Sequence, residues 1–256
     1  VVISGLTSIG GDNNSGLMIS GFMNVTGNMA SGLHFSGVAN ITGQSFGGLM
    51  ASGLLNVVGE HMNGLQIAGI ANITASKLNG VQVALCNYAT KTRGLQIGLV
   101  NYYKEDMKGF QLGLVNANPD TKVQMMVYGG NATPANIGVR FKNQLFYTIL
   151  GVGSMYQGLN DKFSASASYR AGLSFPLYKG LSISGDLGYQ HIEAFDNKDE
   201  VIPKRLYALQ ARANLEYQFT KKFGIFATGG YGVTRFYNKS SNYDKGAIIE
   251  AGIVLF

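Results

Sequence analysis

Charge is what this 256-residue chain has least of. Only 13% of its residues are Asp, Glu, Lys or Arg, about half the share usual in soluble domains. Residues 1–76 contain no Lys or Arg, and Asp12 and Glu60 are their only acids. A soluble surface of that extent would be hard to keep in solution. Tryptophan is absent, proline occurs four times and cysteine once, at Cys86. One thiol excludes an internal disulfide and a multi-cysteine metal site. Long apolar runs are missing too. The chain is 46% hydrophobic with a mean hydropathy of only +0.08, so its apolar residues are interspersed, and no stretch approaches the ~18 residues of a membrane helix. Glycine, at 36 residues, is abundant, but beside too many Leu, Ile, Val, Phe and Tyr for a disordered Gly-rich chain. The net charge of +6 is uneven: residues 1–118 hold 5 basic and 4 acidic side chains, leaving 15 and 10 for residues 119–256. With no nucleic-acid motif, this excess reads as a solvated face, and no nucleic-acid partner is expected.

The first half repeats. Gly16-Leu17, Gly32-Leu33, Gly48-Leu49, Gly64-Leu65 and Gly80-Val81 recur every 16 residues, and Gly94-Leu95 and Gly109-Phe110 follow at spacings of 14 and 15. Each is followed by an asparagine: Asn24, Asn40, Asn56, Asn72, Asn87, Asn101 and Asn116. In the unit 64–74, Leu65, Ile67, Gly69, Ala71 and Ile73 share one parity and Gln66, Ala68, Ile70, Asn72 and Thr74 the other. Period two argues strand, and about ten residues followed by a short link is the length of a tilted membrane strand. A parallel solenoid would stack one rung per repeat and align the asparagines in a ladder. An antiparallel barrel would make a 32-residue hairpin the true unit. Residues 16–27 and 48–59 share eight identities in twelve, while neighbouring units share at most seven, which favours hairpins. From Gly80 onward the asparagine falls one residue earlier and the parity flips, pointing either to a β-bulge near Ser20-Gly21 or to asparagine at a membrane edge.

The second half alternates without repeating. Phe163, Ala165, Ala167, Tyr169, Ala171, Leu173 and Phe175 oppose Ser164, Ser166, Ser168, Arg170, Gly172 and Ser174. Leu181, Ile183, Leu187 and Tyr189 oppose Ser182, Ser184, Asp186 and Gln190, and residues 207–219 set Tyr, Leu, Ala and Phe against Gln210, Arg212, Asn214, Glu216 and Gln218. Tight links at 176–180 and 219–223 alternate with longer polar segments at 195–204 and 237–245, the outer-membrane loop pattern. All four prolines fall in the connections this pattern proposes, where a missing N–H would break no ladder. The expectation is one all-β, antiparallel transmembrane barrel over 1–256 with about sixteen strands, fourteen being possible because 119–142 is hard to parse. It comprises a strand-repeat half (1–118) and a hairpin half (119–256). The alternative is an N-terminal β-solenoid followed by an eight-stranded barrel. The expected lumen wall is Gln66, Ser164, Ser166, Ser168, Arg170, Ser182, Ser184, Asp186, Gln190, Gln210, Arg212, Asn214 and Glu216. Ile249, Ile253 and Phe256 belong to the closing strand, although Glu250 shares parity with Phe256.

The ending Gly252-Ile-Val-Leu-Phe256 resembles the closing strand of bacterial outer-membrane proteins, and units such as Gly94-Leu-Gln-Ile-Gly-Leu-Val-Asn101 resemble the short surface repeats of outer-membrane proteins from diderm bacteria. That resemblance covers roughly 16–118. It implies the outer membrane of a diderm, Gram-negative-type cell, with lipids and the barrel-insertion machinery as partners, and a signal peptide removed ahead of Val1. Both termini would be periplasmic. Of the three histidines, His34 takes a slot filled elsewhere by Met18, Met50 and Gln66, His61 lies in a tight link, and His191 sits near a strand end. None accompanies a nucleophile motif, so no enzyme is expected, and no metal or cofactor. The Asn-x-Thr triplets at 24, 40 and 72 read as wall hydrogen bonding rather than glycosylation, and the acidic segment 196–200 as solvated. Small lumen residues in a wide barrel favour a porin-like passive channel for small solutes. The rival is a non-conducting structural barrel that binds other outer-membrane proteins or lipoproteins through the Gly-, Ala- and Ser-rich wall of 1–87.

Overall fold

The repeating glycines are required by backbone geometry. Gly16, Gly32, Gly48, Gly64, Gly80, Gly94 and Gly109 all have φ between +102° and +148°, a region that side chains of L-residues avoid. Each also stacks on its counterpart: a Cβ added at Gly64 would lie 2.1 Å from the carbonyl oxygen of Gly48, and one at Gly109 would lie 1.8 Å from that of Gly94. Only parallel, in-register stacking places glycine on glycine in this way. The computed structural model describes residues 1–154, 163–195, 205–238 and 242–256, all in strands and their connections. The chain divides into two compact units, Val1–Asp120 and Thr121–Phe256.

The first unit is a parallel β-solenoid. Its rungs alternate a strand in one ladder with a strand in a second, the two ladders joining in one 13-stranded sheet: β1 (Val2–Ser4), β2 (Thr7–Gly10), β3 (Asn13–Ser20), β4 (Met23–Thr26), β5 (Met29–Ser36), β6 (Ala39–Thr42), β7 (Ser45–Ser52), β8 (Leu55–Val58) and β9 (His61–Ala68). In β10 (Ala71–Val83), β11 (Cys86–Ile97) and β12 (Val100–Leu112) the two runs merge into one long strand, and β13 (Val115–Ala117) ends the stack. Every pairing is parallel, with Gly32 opposite Gly48 and Asn40 opposite Asn56. The expected sixteen-stranded barrel over 1–256 is therefore corrected. The solenoid-plus-eight-strand alternative fits, because only a one-rung repeat lets each glycine and each asparagine meet its own equivalent.

Inside the solenoid the asparagines form a directed ladder. Asn24 Nδ2 donates to Asn40 Oδ1 at 2.8 Å, Asn40 to Asn56 at 2.9 Å and Asn56 to Asn72 at 2.9 Å. The chain of donors continues through Asn87 and Asn101 to Asn116. The second Nδ2 hydrogen goes to a backbone carbonyl, as from Asn56 to Ile67 O at 2.7 Å. A glutamine ladder runs the opposite way: Gln82 donates to Gln66 (2.8 Å), Gln96 to Gln82 (2.9 Å) and Gln111 to Gln96 (2.8 Å). Ala30, Phe46, Met50, Val58, Met62, Leu78 and Ala89 fill the rest of the core. The parity flip is thereby explained without a bulge at Ser20-Gly21. Glycine and asparagine lie in different runs separated by a corner: Ala68-Gly69-Ile70 stand between Ile67 and Ala71, but only Ala84-Leu85 between the paired positions Val83 and Cys86, so the earlier asparagine reflects a corner one residue shorter.

The second unit is a closed antiparallel barrel of eight strands in sequence order: β14 (Lys122–Gly130), β15 (Ala135–Asn143), β16 (Phe146–Ser154), β17 (Ser164–Tyr178), β18 (Leu181–Ala194), β19 (Arg205–Gln218), β20 (Phe223–Phe236) and β21 (Asn242–Leu255). Closure joins β21 to β14, with Leu255 opposite Met125 and Ile253 opposite Val127. The chain enters at the end bearing the tight connections 144–145, 179–180 and 219–222, and it leaves at the same end. The stretch 119–142 resolves into a short lead and the β14–β15 hairpin. Outward positions include Leu187 (71% exposed) and Ile249 (67%), while Arg170 (1%), Asp186 (5%) and Glu250 (3%) point inward.

Candidate functional site

Alternation decides what the barrel encloses. Eight strands leave an interior just wide enough for side chains to fill, and the inward residues of this barrel fill it with hydrogen-bonded charge. Arg170 Nε and Nη2 donate to the two oxygens of Asp186, both at 2.8 Å. Tyr147 donates its hydroxyl to Asp186 Oδ2 (2.8 Å), and Asn214 Nδ2 reaches the same oxygen (2.8 Å). Thr228 Oγ1 donates to Asn214 Oδ1 at 2.6 Å. Arg212 forms a two-pronged pair with Glu250 (3.1 and 3.2 Å), whose Oε2 also lies 3.6 Å from Arg170 Nη1. Arg140 grips Glu216 with two hydrogen bonds (2.6 and 3.0 Å) and donates from Nε to Gln124 at 2.6 Å. Three guanidinium groups thus meet three carboxylates, and the paired geometry is the strong, bidentate kind.

A recess lies at each end of the barrel among the described residues. At the tight-turn end a cavity of about 460 Å³, bordered by Lys122, Lys142 and Tyr178, has Gln124 and Glu216 in its wall. At the other end a recess of about 30 Å³ is lined by Gln210, Thr234 and Asp244. Beneath it an amide relay runs from Gln210 Nε2 to Gln190 Oε1 (3.1 Å) and from Gln190 Nε2 to Ser166 Oγ (2.8 Å).

Twelve of the thirteen expected lumen residues belong to this barrel. Ser164, Ser166, Arg170, Ser184, Asp186, Gln190, Gln210, Arg212, Asn214 and Glu216 are buried within it, and Ser168 and Ser182 are half-buried. The exception is Gln66, which lies in the solenoid core and is corrected accordingly: it bonds Gln82 and Thr74. The sequence reading missed Gln124, Arg140, Tyr147, Thr228 and Glu250. For Glu250 the signal was present, since its shared parity with Phe256 marks an inward column. Phe256 follows that column and packs against the inner cluster of Met126, Tyr128, Tyr147, Ile149, Phe226 and Val254, while Ile249 faces outward and Ile253 is half-buried. His34 sits in the solenoid core, edge-on to Phe46 with ring centroids 4.9 Å apart, and burial holds its imidazole below the ordinary value. His61 is exposed, and His191 contacts Tyr237 and Glu193. The acidic segment 196–200 lies outside the described residues.

No protein-family model matches the chain, and no curated protein matches it. Among solved structures, the N-terminal β-barrel domain of Pseudomonas aeruginosa OprF is similar at 16% identity, over 52% of this chain and 93% of that one, with a TM-score of 0.34. Neisserial surface protein A is similar at 9% identity, over 52% and 92%, with a TM-score of 0.35. The closed barrel of this chain rests on the register of β14–β21 itself, not on these likenesses.

Proposed function

We propose that this chain is a non-conducting outer-membrane anchor: an eight-stranded barrel seated in the bilayer that carries a β-solenoid and has no catalytic role. The membrane reading is supported by an inverted polarity. The barrel buries Arg, Asp, Glu and Asn and exposes Leu173, Leu187, Leu209, Leu215, Ile225 and Ile249, the reverse of a water-soluble surface and the arrangement of a lipid-facing wall around a polar interior. The tight-turn end, where the chain enters and leaves, corresponds to the periplasmic side of such barrels. The partners this reading requires are outer-membrane lipid and the machinery that inserts barrels closing on a strand such as β21.

One observation carries the structural role over a porin-like channel. Ionic contacts span the lumen between opposite strands, Arg140 of β15 to Glu216 of β19 and Arg170 of β17 to Glu250 of β21, and the Arg170–Asp186 pair is tied to Tyr147, Asn214 and Thr228. Opening a path would strip these ions of partners inside a low-dielectric wall, at several kcal/mol per ion. Purified protein reconstituted in planar bilayers is expected to be silent. Stable, long-lived open channels would overturn the anchor reading in favour of passive diffusion.

A further inference from the structure

The solenoid also wears its apolar residues on the outside. Each rung turns its first corner at one outward residue, and the column runs from Leu6 through Leu54 and Ile70 to Leu114, linked by backbone bonds such as Leu54 N to Val38 O and Ile70 N to Leu54 O. All eight positions of this column are Leu, Ile, Val or Phe, and Leu6 (74%), Ile70 (51%) and Leu99 (48%) show how open it is. A parallel column beside it runs from Ile3 through Ile67 to Leu112, broken only by Ala51 among large apolar residues. With rungs ~4.8 Å apart and residues ~3.3 Å apart along a strand, the two columns and their flank cover a strip roughly 34 Å by 15 Å, or about 500 Å², near the upper limit for a monomer's largest patch. Charge is absent from it. Every charged side chain of residues 1–118 falls in segments 11–15, 59–63, 75–79, 90–93 or 104–108, at the opposite corner.

We infer that this corner of the solenoid rests on the hydrocarbon edge of a lipid bilayer, with the charged corner turned to water. The inference rests on the membrane reading of the barrel, which supplies the bilayer. Three features favour lipid over a protein partner. The strip is almost purely aliphatic, whereas protein interfaces concentrate Tyr, Trp, Met and Arg around pockets and carry a polar rim. It has no side-chain donor or acceptor along the corner column to fix a partner's register. And the backbone that lipid would penalise is paired internally: N–H and C=O bond from rung to rung, and the amides from Asn40 to Asn101 and from Gln66 to Gln96 bond along their ladders, as burial in hydrocarbon demands. Amphipathic segments that lie in an interface present this same division between an aliphatic face and a charged one.

Because the chain has no tryptophan, one introduced indole reports its own surroundings. Full-length Ile70→Trp, Leu54→Trp, Asn63→Trp and Leu187→Trp would each be reconstituted into phosphatidylethanolamine–phosphatidylglycerol vesicles whose acyl chains are brominated near the headgroup end. Fluorescence at positions 70 and 54 is expected to be quenched several-fold more than at exposed Asn63 on the charged corner, with Leu187→Trp marking barrel insertion. Quenching at 187 with positions 70 and 54 no more quenched than 63 would overturn the inference and assign the strip to a protein or to a second copy. No quenching at 187 would instead refute the membrane reading, and the lipid inference with it. Positions 54 and 70 are both outward, so one poorly folded variant leaves the other to decide.

Discussion

Replacing Asn56 by alanine tests whether the amide ladder holds the solenoid together. Asn56 Nδ2 donates to Asn72 Oδ1 (2.9 Å) and Ile67 O (2.7 Å), and its Oδ1 accepts from Asn40 Nδ2 (2.9 Å). The side chain is fully buried, so no water enters to replace it. Asn56→Ala therefore orphans two acceptors and one donor hydrogen; at about 1 kcal/mol for each, the low end of the desolvation cost of a buried unsatisfied group, the loss is about 3 kcal/mol. Asn24 heads the ladder, donating to Asn40 Oδ1 and Phe35 O while its own Oδ1 has no bonded partner, so Asn24→Ala orphans two groups and costs about 2 kcal/mol. Asn63 makes a comparable bond with Asn79, at 2.7 Å, but in the open, and Asn63→Ala should cost no more than about 0.5 kcal/mol. Hydrogen exchange of the full chain, read by mass spectrometry over peptides from β7 to β10, turns these costs into opening rates. Exchange should accelerate about a hundredfold for Asn56→Ala, less for Asn24→Ala and barely for Asn63→Ala. Equal protection in the position-56 and position-63 variants would refute the reasoning.

Two further outcomes follow from the buried charges. Glu250→Ala leaves Arg212 without its carboxylate and Arg170 with one fewer; breaking a buried pair on one side costs about 3–5 kcal/mol, so the heat-induced loss of barrel structure, followed by circular dichroism in detergent, should shift to clearly lower temperature, and an unchanged midpoint would show the network to be dispensable. His34 has its folded pKa below the ordinary 6.5, so the unfolded chain binds the proton more readily; stability is present above 6.5 and is lost as pH falls through that value toward the lowered one. Thermal melting of the solenoid should therefore weaken on going from about pH 7.5 to pH 5 in the wild type, and weaken less in His34→Met, which copies the Met18 and Met50 of the same column. An identical pH response in the two proteins would remove His34 from the account.

The two halves differ in how much of this was legible. In the barrel, alternation of Ser164, Ser166, Arg170, Asp186 and Asn214 with Leu and Tyr assigns inside and outside directly, because a strand's faces follow from parity alone. What parity cannot give is closure, so eight strands or sixteen read alike until the pairing of β21 with β14 is known. Arg140 and Gln124 were hidden by a stretch whose two short strands meet in a turn with little alternation to frame it. In the solenoid, strand character and the glycine period were plain, but the direction of pairing was not: a Gly–Leu–Asn repeat suits a hairpin or a rung, and the slightly louder 32-residue echo pointed to hairpins. The decisive signal was the displaced asparagine. It shows that Gly80 and Asn87 do not share a strand face, and a corner between them is the simplest geometry that allows it.

Those corners set how such an array can change in evolution. The spacings of 14, 15 and 16 residues arise at two bends of the rung, Ala84-Leu85 standing where Ala68-Gly69-Ile70 stand one rung earlier and, within the long strands, Thr90 standing where Ala75-Ser76 stand. Insertions and deletions are thus absorbed at the bends, while a duplicated or deleted unit adds or removes one whole rung and leaves every ladder in register. Length becomes a heritable variable that drifts by unequal recombination without disturbing the barrel that follows, and relatives of this protein should differ in rung number before they differ in anything else.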